Sequence, residues 1–357
     1  AAWLEKKSKN PPFLGIGVSS RLRFQGGDTK ILTANELPTP KDAEELALLL
    51  NISTSELFWL SYERAATSLD HYTRFEIPKR SGGKRLISSP KPKLRTAQRW
   101  IAENILDKLS PAAQATAFRS GASIIKNAEP HLNAAIVVRI DFRDFFPSIT
   151  YPRVRGYFES LGFNPGVATL LALISTDAPR VKVSFDGKTQ YVAMGGRSLP
   201  QGACTSPALA NLITRKLDAR IAGLCQASTD QWTYTRYADD LTFSTQARDA
   251  NVGRLLGSVQ NIVSDEGFRI NREKTAVMRA PGRRIVTGLI VEDEIRLSRR
   301  DLRRLRAFLH RCDKDGLARV SEEIGKDALA VAHGRLAYVQ MVMPEHAGRI
   351  RGKYSWL

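Results

Sequence analysis

The sequence predicts an α+β fold. Three observations carry that expectation. Short apolar or alternating segments recur in pairs around tight polar turns, the pattern of antiparallel hairpins. Between them run stretches with apolar residues three and four apart, the period of helices packed on a sheet. From Ser298 onward the pattern is mostly helical, and no internal repeat or low-complexity segment interrupts the order.

The first thirty residues are basic and Gly-rich without a clear period, and read as an arm or loose extension. A helix is expected near Thr39, with Thr39 as cap, Pro40 in the first turn, Asp42 near the positive end and Ala43, Leu46, Ala47 and Leu50 as its apolar face. Ser53 and Glu56 have the spacing of a capping box for a second helix carrying Leu57 and Leu60. Phe75, Ile77, Leu86 and Ile87 flank the basic, Gly-rich stretch Pro78-Lys-Arg-Ser-Gly-Gly-Lys-Arg85, which predicts two strands and a loop. A helix over about 94–109 follows, with Ile101, Ile105 and Leu109 on one side. Residues 135–141, ending Ile-Val-Val-Arg-Ile-Asp141, predict a short buried strand that stops at a carboxylate.

Helical periodicity spans Pro152 to Ile174. Val181–Phe185 and Lys188–Ala193 alternate around Asp186-Gly187, a hairpin turn. Residues 206–222 read as helix, Trp232–Ser244 as a strand pair bent at Tyr237-Ala-Asp-Asp240, and Ile285–Val291 with Glu294–Leu297 as a further hairpin.

Composition narrows the class. The chain of 357 residues is 43% hydrophobic and 25% charged, which suits a folded, water-soluble protein rather than a disordered tail. No apolar run reaches the roughly 18 residues of a membrane span, and the first ten residues do not read as a secretory signal. Cys204, Cys225 and Cys312 have no metal-ligand spacing, so a reduced, cytoplasmic protein without a disulfide frame is expected. The 54 basic and 36 acidic residues leave a net charge of +18, which points to a polyanion, and nucleic acid before any other.

The carboxylates carry the chemistry. Asp239 and Asp240 are adjacent at a hairpin bend, where two like charges are costly unless a cation screens them. Taken alone the pair is as readily a polar turn. Asp141 at the end of another buried strand changes the weighing, because a strand end and a neighbouring hairpin can converge on one point. Mg2+ takes oxygen ligands and keeps several waters, so two or three carboxylates and substrate phosphates suffice. Two such ions can activate a hydroxyl and stabilise leaving pyrophosphate.

In chain order the motifs are Ile77-Pro-Lys-Arg-Ser-Gly-Gly-Lys-Arg85, Asp141-Phe-Arg-Asp-Phe-Phe146, Leu199-Pro-Gln-Gly202 with Ser206-Pro207, Tyr237-Ala-Asp-Asp240, and Gly267-Phe-Arg-Ile-Asn271 with Lys274. The ordered set resembles the reverse transcriptase family over about residues 72–291. Asn127-Ala-Glu-Pro-His131 and Val286-Thr-Gly288 further resemble the Asn-Ala-x-x-His and Val-Thr-Gly signatures of retron reverse transcriptases, which copy part of a partner non-coding RNA into a small multicopy DNA (msDNA). Maturase or endonuclease segments of the group II intron type are not recognised. Abortive-infection and diversity-generating relatives remain alternatives within the family.

The resemblance implies a right-hand polymerase: a basic arm and helical extension over 1–70, fingers and an antiparallel palm sheet over 71–292, and a helical, RNA-binding thumb over 293–357. It implies Asp141, Asp239 and Asp240 as ligands of two Mg2+ ions, with Mn2+ as a substitute, and Lys274 as proton donor to pyrophosphate. Phe146 takes the steric-gate position against a ribose 2′-hydroxyl, or else is a core ring beside Phe145. Lys79, Lys84 and Arg85 suit the triphosphate of an incoming deoxynucleotide, or else a solvated hairpin tip. Gln201, followed by the small Gly202, resembles the nucleotide-binding turn.

Asn127, His131, Val286, Thr287 and Gly288 are assigned to RNA by the same resemblance, although a lone His on a helix face is more often a hydrogen-bonded packing residue. Ser298 is read as the cap of a helix with Leu302, Leu305, Leu309 and Cys312 inside. Arg299, Arg300, Arg303 and Arg304 fall off that stripe, where they suit an RNA stem or a solvated face. Expected partners are a cognate non-coding RNA and its cDNA, deoxynucleoside triphosphates, a separate effector protein in antiphage defence, and a host ribonuclease H, with no membrane. The competing readings are a catalytically silent RNA-binding protein and an untemplated DNA polymerase.

Overall fold

The structure is a computed structural model that describes Leu14 and residues 18–62, 65–78, 82–185 and 187–357. In chain order the described strands are β1 (Ala66–Thr67), β2 (Tyr72–Pro78), β3 (Lys84–Pro90), β4 (Ile136–Phe142), β5 (Arg180–Phe185), β6 (Lys188–Ala193), β7 (Thr233–Tyr237), β8 (Asp240–Thr245), β9 (Ile270–Arg279), β10 (Ile285–Val286), β11 (Leu289–Val291) and β12 (Ile295–Arg296). The chain forms two compact units. The first draws on Ala1–Ala113, Arg143–Ala219 and Val263–Arg269, and the second on Gln114–Phe142, Arg220–Ile262 and Ile270–Leu357.

In the first unit the expected capping box is present: Ser53 Oγ accepts from Glu56 N at 3.2 Å and Glu56 Oε2 accepts from Ser53 N at 3.3 Å. The helix before it starts later than the sequence suggested. Its cap is Asp42, not Thr39, and the carboxylate accepts from Glu44 N and Glu45 N, both at 2.9 Å. Asp accepts two backbone bonds here where Thr39 would lie a turn too early. The segment read as a loose extension is also more ordered than expected from residue 18 on. Leu14, Val18, Leu22 and Leu32 are buried, and Asp28 caps a helix at Thr29–Ala34. This segment closes on Gly162, whose φ is +104 and where an added Cβ would stand 2.4 Å from Asp28 O. Gly162 breaks the predicted 152–174 helix into Tyr151–Ser160 and Pro165–Ser175.

The helix expected over 94–109 runs from Pro92 to Ile101 and continues as a π-helical turn, Ala102–Leu106. That turn places Leu106 inside beside Ile105, while Leu109 is only half-buried. The hairpin β2–β3 forms in register, Phe75 opposite Ile87 and Ile77 opposite Arg85. The hairpin β5–β6 extends to β1 in a three-stranded sheet. Residues 79–81 and Asp186 lie outside the described residues, so the loop tip with Lys79 and one half of the Asp186-Gly187 turn are not described.

The second unit holds an antiparallel sheet of order β7-β8-β4-β9. β4 lies between β8 and β9, which accounts for its near-continuous apolar run: Ile136, Val137, Val138 and Ile140 are all buried. β9 and the helix Val252–Asp265 were not read from sequence. Ile285–Leu297 is a three-stranded sheet, β10-β11-β12, rather than one hairpin, because Thr287-Gly288 already makes a tight turn between β10 and β11. Ser298 caps Arg299–Asp315 as expected, and Leu305, Phe308, Leu309 and Cys312 face a core with Val286, Leu289 and Val320. Phe308 takes the place the sequence reading gave to Leu302, which is half-buried.

Candidate active site

The sheet register places two of the three expected carboxylates side by side. Asp141 on β4 pairs directly with Asp240 on β8, so both side chains project from one face at the same level. On its other side β4 is paired with β9, and that pairing slips. Arg139 faces Ala276, so regular pairing would bring Lys274 opposite Asp141. Instead Asn271 stands there and residues 272–275 bulge outward. From this bulge Lys274 Nζ reaches back to Asp141 Oδ1 at 3.0 Å and Oδ2 at 3.2 Å.

Asp240 has its own cation. Arg139 Nε donates to Asp240 Oδ1 at 3.3 Å. Burial nevertheless pushes the Asp240 carboxyl up to about 6; Arg139 pulls against that rise, and the charges of Asp141 and Asp239 add to it. Arg139 was missed by the sequence reading. Its signal was there: a lone charge within an apolar strand, two residues before Asp141 and therefore on the same face.

Asp239 occupies the bend between β7 and β8 and is half-buried, and its backbone oxygen accepts from Phe142 N at 2.9 Å. Ala238 before it has φ +58, a left-handed residue that makes the bend abrupt. Among the described residues, no group of three or more His, Cys, Asp or Glu side chains stands at ion-holding spacing. Asp141, Asp239 and Asp240 still suit a divalent cation by chemistry. They are hard oxygen donors, Asp141 and Asp240 are adjacent and mostly shielded, and both already take up positive charge from Lys274 and Arg139.

The remaining nucleotide-site candidates lie in the first unit. Phe145 is buried, stacked at a tilt on Phe268 with centroids 5.8 Å apart, whereas Phe146 is only half-buried. The core ring of this pair is therefore Phe145. Asp144 is exposed with φ +50. Gln201 is half-buried, and its backbone oxygen accepts from Ser88 N on β3 at 2.8 Å. Gly202 has φ +113, and an added Cβ would lie 2.8 Å from Ser88 O, so this turn admits only glycine. Lys84 and Arg85 are exposed at the start of β3, and Lys84 Nζ lies 2.6 Å from Glu76.

The residues assigned to RNA divide sharply. Arg299, Arg300, Arg303 and Arg304 are exposed, and none makes an ion pair among the described residues, whereas Arg311 on the same helix pairs with Glu323 at 3.0 Å. Thr287 has φ +46 and Gly288 φ +85, the two positive angles of a tight hairpin turn. Thr287 is half-buried and Gly288 exposed. Asn127, His131 and Val286 are fully buried. Direct side-chain contact with RNA is therefore corrected for these three, since no side-chain surface is left for RNA to touch. Asn127 and His131 were expected on one face of one helix. The α-helix ends at Ala128, and His131 belongs to a following 3-10 turn.

Comparison with known proteins identifies the family. Residues 77–300 match the family described as Reverse transcriptase (RNA-dependent DNA polymerase). The chain is 42% identical over 326 residues to the retron Mx162 reverse transcriptase of Myxococcus xanthus, covering 87% of this chain and 66% of that protein. It is 41% identical to the retron Mx65 reverse transcriptase of the same organism, covering 88% and 71%. To the retron Ec86 reverse transcriptase of Escherichia coli it is 35% identical, covering 77% and 79%. The chain thus spans about two thirds of the length of the Mx162 protein. Solved telomerases are more distant: apo telomerase from Candida tropicalis aligns at 13% identity with a TM-score of 0.47, covering 64% of this chain and 48% of that one. With the family matched over most of the chain and an α+β fold around an antiparallel sheet, the chain belongs to the reverse transcriptase family of RNA-dependent DNA polymerases, and within it to the retron type.

Proposed function

We propose that this chain copies part of a cognate structured RNA into a small multicopy single-stranded DNA. The observation that carries the reading is the facing pair Asp141 and Asp240, each held by a cation, in a chain of the retron type. Asp141, Asp239 and Asp240 would hold the divalent ions, two Mg2+ with Mn2+ as a substitute. When bound, such ions activate a hydroxyl nucleophile and stabilise leaving pyrophosphate.

The chain's own residues do the rest. Lys274 holds Asp141 and presents an Nζ proton where pyrophosphate would depart. Lys84 and Arg85, with Lys79 outside the described residues, bind the triphosphate, and Gln201 with Gly202 lets the nucleotide approach the backbone. Phe146 screens against a 2′-hydroxyl. The half-burial of Phe146 beside a buried Phe145 supports that role over a packing role. Residues 1–70, 71–292 and 293–357 act as arm and extension, fingers and palm, and thumb. In the last of these, Arg299, Arg300, Arg303 and Arg304, which make no ion pair among the described residues, track an RNA backbone, with the exposed turn at Gly288 beside the primer.

Synthesis starts from the 2′-hydroxyl of an internal guanosine of that RNA. A host ribonuclease H removes the copied template, and a separate effector protein completes an antiphage system. Protein purified from its natural host tests this reading. It should carry one short RNA joined to DNA through a bond that debranching enzyme cleaves. Random host RNA, or DNA without a branched linkage, would defeat the retron function and leave family membership untouched.

A further inference from the structure

Asn127 and His131 are buried in the second unit, and their hydrogen bonds lead to the hairpin that bears Asp239 and Asp240. The His131 ring spans both strands of that hairpin. Nδ1 lies 2.7 Å from Ser244 Oγ on β8, and Nε2 lies 2.8 Å from Thr235 Oγ1 on β7. A neutral imidazole offers one donor and one acceptor, and two hydroxyls can satisfy both. Burial favours that neutral form.

Asn127 acts one link further away. Thr116 Oγ1 lies 2.6 Å from the Asn127 amide and 3.1 Å from Arg236 O, and Thr116 N donates to the same carbonyl at 2.9 Å. Arg236 N in turn donates to Gln114 O at 2.7 Å, so residues 114–116 lie along β7 as an extra edge. One hydroxyl proton cannot serve both Asn127 Oδ1 and Arg236 O. Turning the amide gives a consistent relay, Asn127 Nδ2–H to Thr116 Oγ, then Thr116 O–H to Arg236 O. It also gives a partner to Asn127 Nδ2, which is otherwise buried without one. The relay ends on the residue before Tyr237, and Arg236 Nη1 donates to Ala238 O at 3.1 Å, at the left-handed corner of the bend. The second signature joins the same assembly: Thr287 Oγ1 donates to Ile124 O at 3.3 Å, in the helix that carries Asn127.

We propose that Asn127 and His131 are positioning residues that fix the Asp239-Asp240 hairpin, acting through Thr116, Thr235 and Ser244. The proposal rests on reading those carboxylates as catalytic. Thr235 lies in the middle of β7 and Ser244 near the end of β8 away from the bend, where it pairs with Thr233, so the His131 bridge pins the two strands of the hairpin to each other behind the carboxylates. Reaction geometry tolerates little error of this kind, since misplacement by about 1 Å can cost about a hundredfold in rate.

The test uses the whole chain with poly(rA)/oligo(dT) and dTTP. His131→Leu should lower kcat at least about tenfold while KM for dTTP and affinity for the duplex stay within about twofold. His131→Gln, which can meet both hydroxyls, should recover most of the rate, and Ser244→Ala, which removes one end of the bridge at little cost in volume, should fall between. Hydrogen exchange reads the clamp without reference to activity: amides of residues 233–245 should exchange at least about tenfold faster in His131→Leu, with those of 285–297 unchanged. Unchanged exchange at 233–245, a loss of duplex affinity at constant kcat, or equal losses in the Leu and Gln variants would each overturn the proposal. An inactive parent protein whose 233–245 exchange still responds would sink the polymerase reading and leave the positioning link standing.

Discussion

Lys274 reaches both carboxylate oxygens of Asp141, at 3.0 and 3.2 Å, from the stretch 272–275 where β9 slips its register against β4. If Lys274 also serves as proton donor to pyrophosphate, as proposed, its loss should slow the chemical step. Lys274→Met should therefore lower the rate of nucleotide addition about a hundredfold. The pair is partly exposed, so folding stability should change by less than about 1 kcal/mol. Single-turnover primer extension and a denaturant titration separate the two effects. A Lys274→Met enzyme with the parent's rate would reduce the lysine to a surface charge.

Phe146 is the half-buried partner of a ring pair whose other member, Phe145, is buried. Phe146→Ala or Val should then raise ribonucleotide incorporation relative to deoxyribonucleotide, with little change in stability. A primer-extension competition between the two nucleotide types measures it. An unchanged ratio in an active, folded variant would make Phe146 a packing residue.

His131 gives a pH signature of stability. Burial lowers its pKa from the ordinary 6.5 to about 4. Above pH 6.5 the ring is neutral in both folded and unfolded chains and contributes no pH dependence. As pH falls from 6.5 towards 4, the unfolded chain takes up a proton that the folded chain refuses, and stability drops by roughly 3 kcal/mol before levelling off. His131→Gln lacks this term. The stability difference between parent and variant should be constant above pH 7 and shift by that amount between pH 6.5 and 4. Parallel pH curves for the two proteins would contradict a neutral, buried ring.

Arg299, Arg300, Arg303 and Arg304 share an exposed surface with no ion pair among the described residues. Replacing all four with Ala should weaken binding of the RNA that co-purifies with the protein and flatten its salt dependence, each lost phosphate contact lowering the slope by about 0.7–0.9. Extension of a generic primer should persist, because the carboxylates are untouched. Binding with an unaltered salt slope would return the helix to a solvated face.

Much of this was legible in the sequence because it is local. Asp141 ends an apolar run, Asp239 and Asp240 sit between two alternating segments, and the Ser53–Glu56 box and the Ser298 cap depend on spacing alone. What escaped depends on pairing between distant strands. The Arg139–Asp240 contact needs the β4–β8 register, and the reach of Lys274 needs a bulge in a strand not recognised at all. A packing role for His131 was open to sequence reasoning, but its partners were not, since Thr235 and Ser244 come from other elements. Only the hydroxyls of Thr116, Thr235 and Ser244, brought from other elements, make the interior affordable.

The proposed function requires Asp141, Asp239 and Asp240 to form the catalytic centre of an RNA-directed DNA polymerase. Extension of oligo(dT) on poly(rA) in the presence of Mg2+ tests it most directly, comparing the parent with Asp239→Asn combined with Asp240→Asn. The parent should incorporate dTMP. In the variant synthesis should be abolished, with the fold and duplex binding nearly intact, because the change removes ligand charge and leaves the basic surface alone. Substantial DNA synthesis by a folded double variant would contradict it.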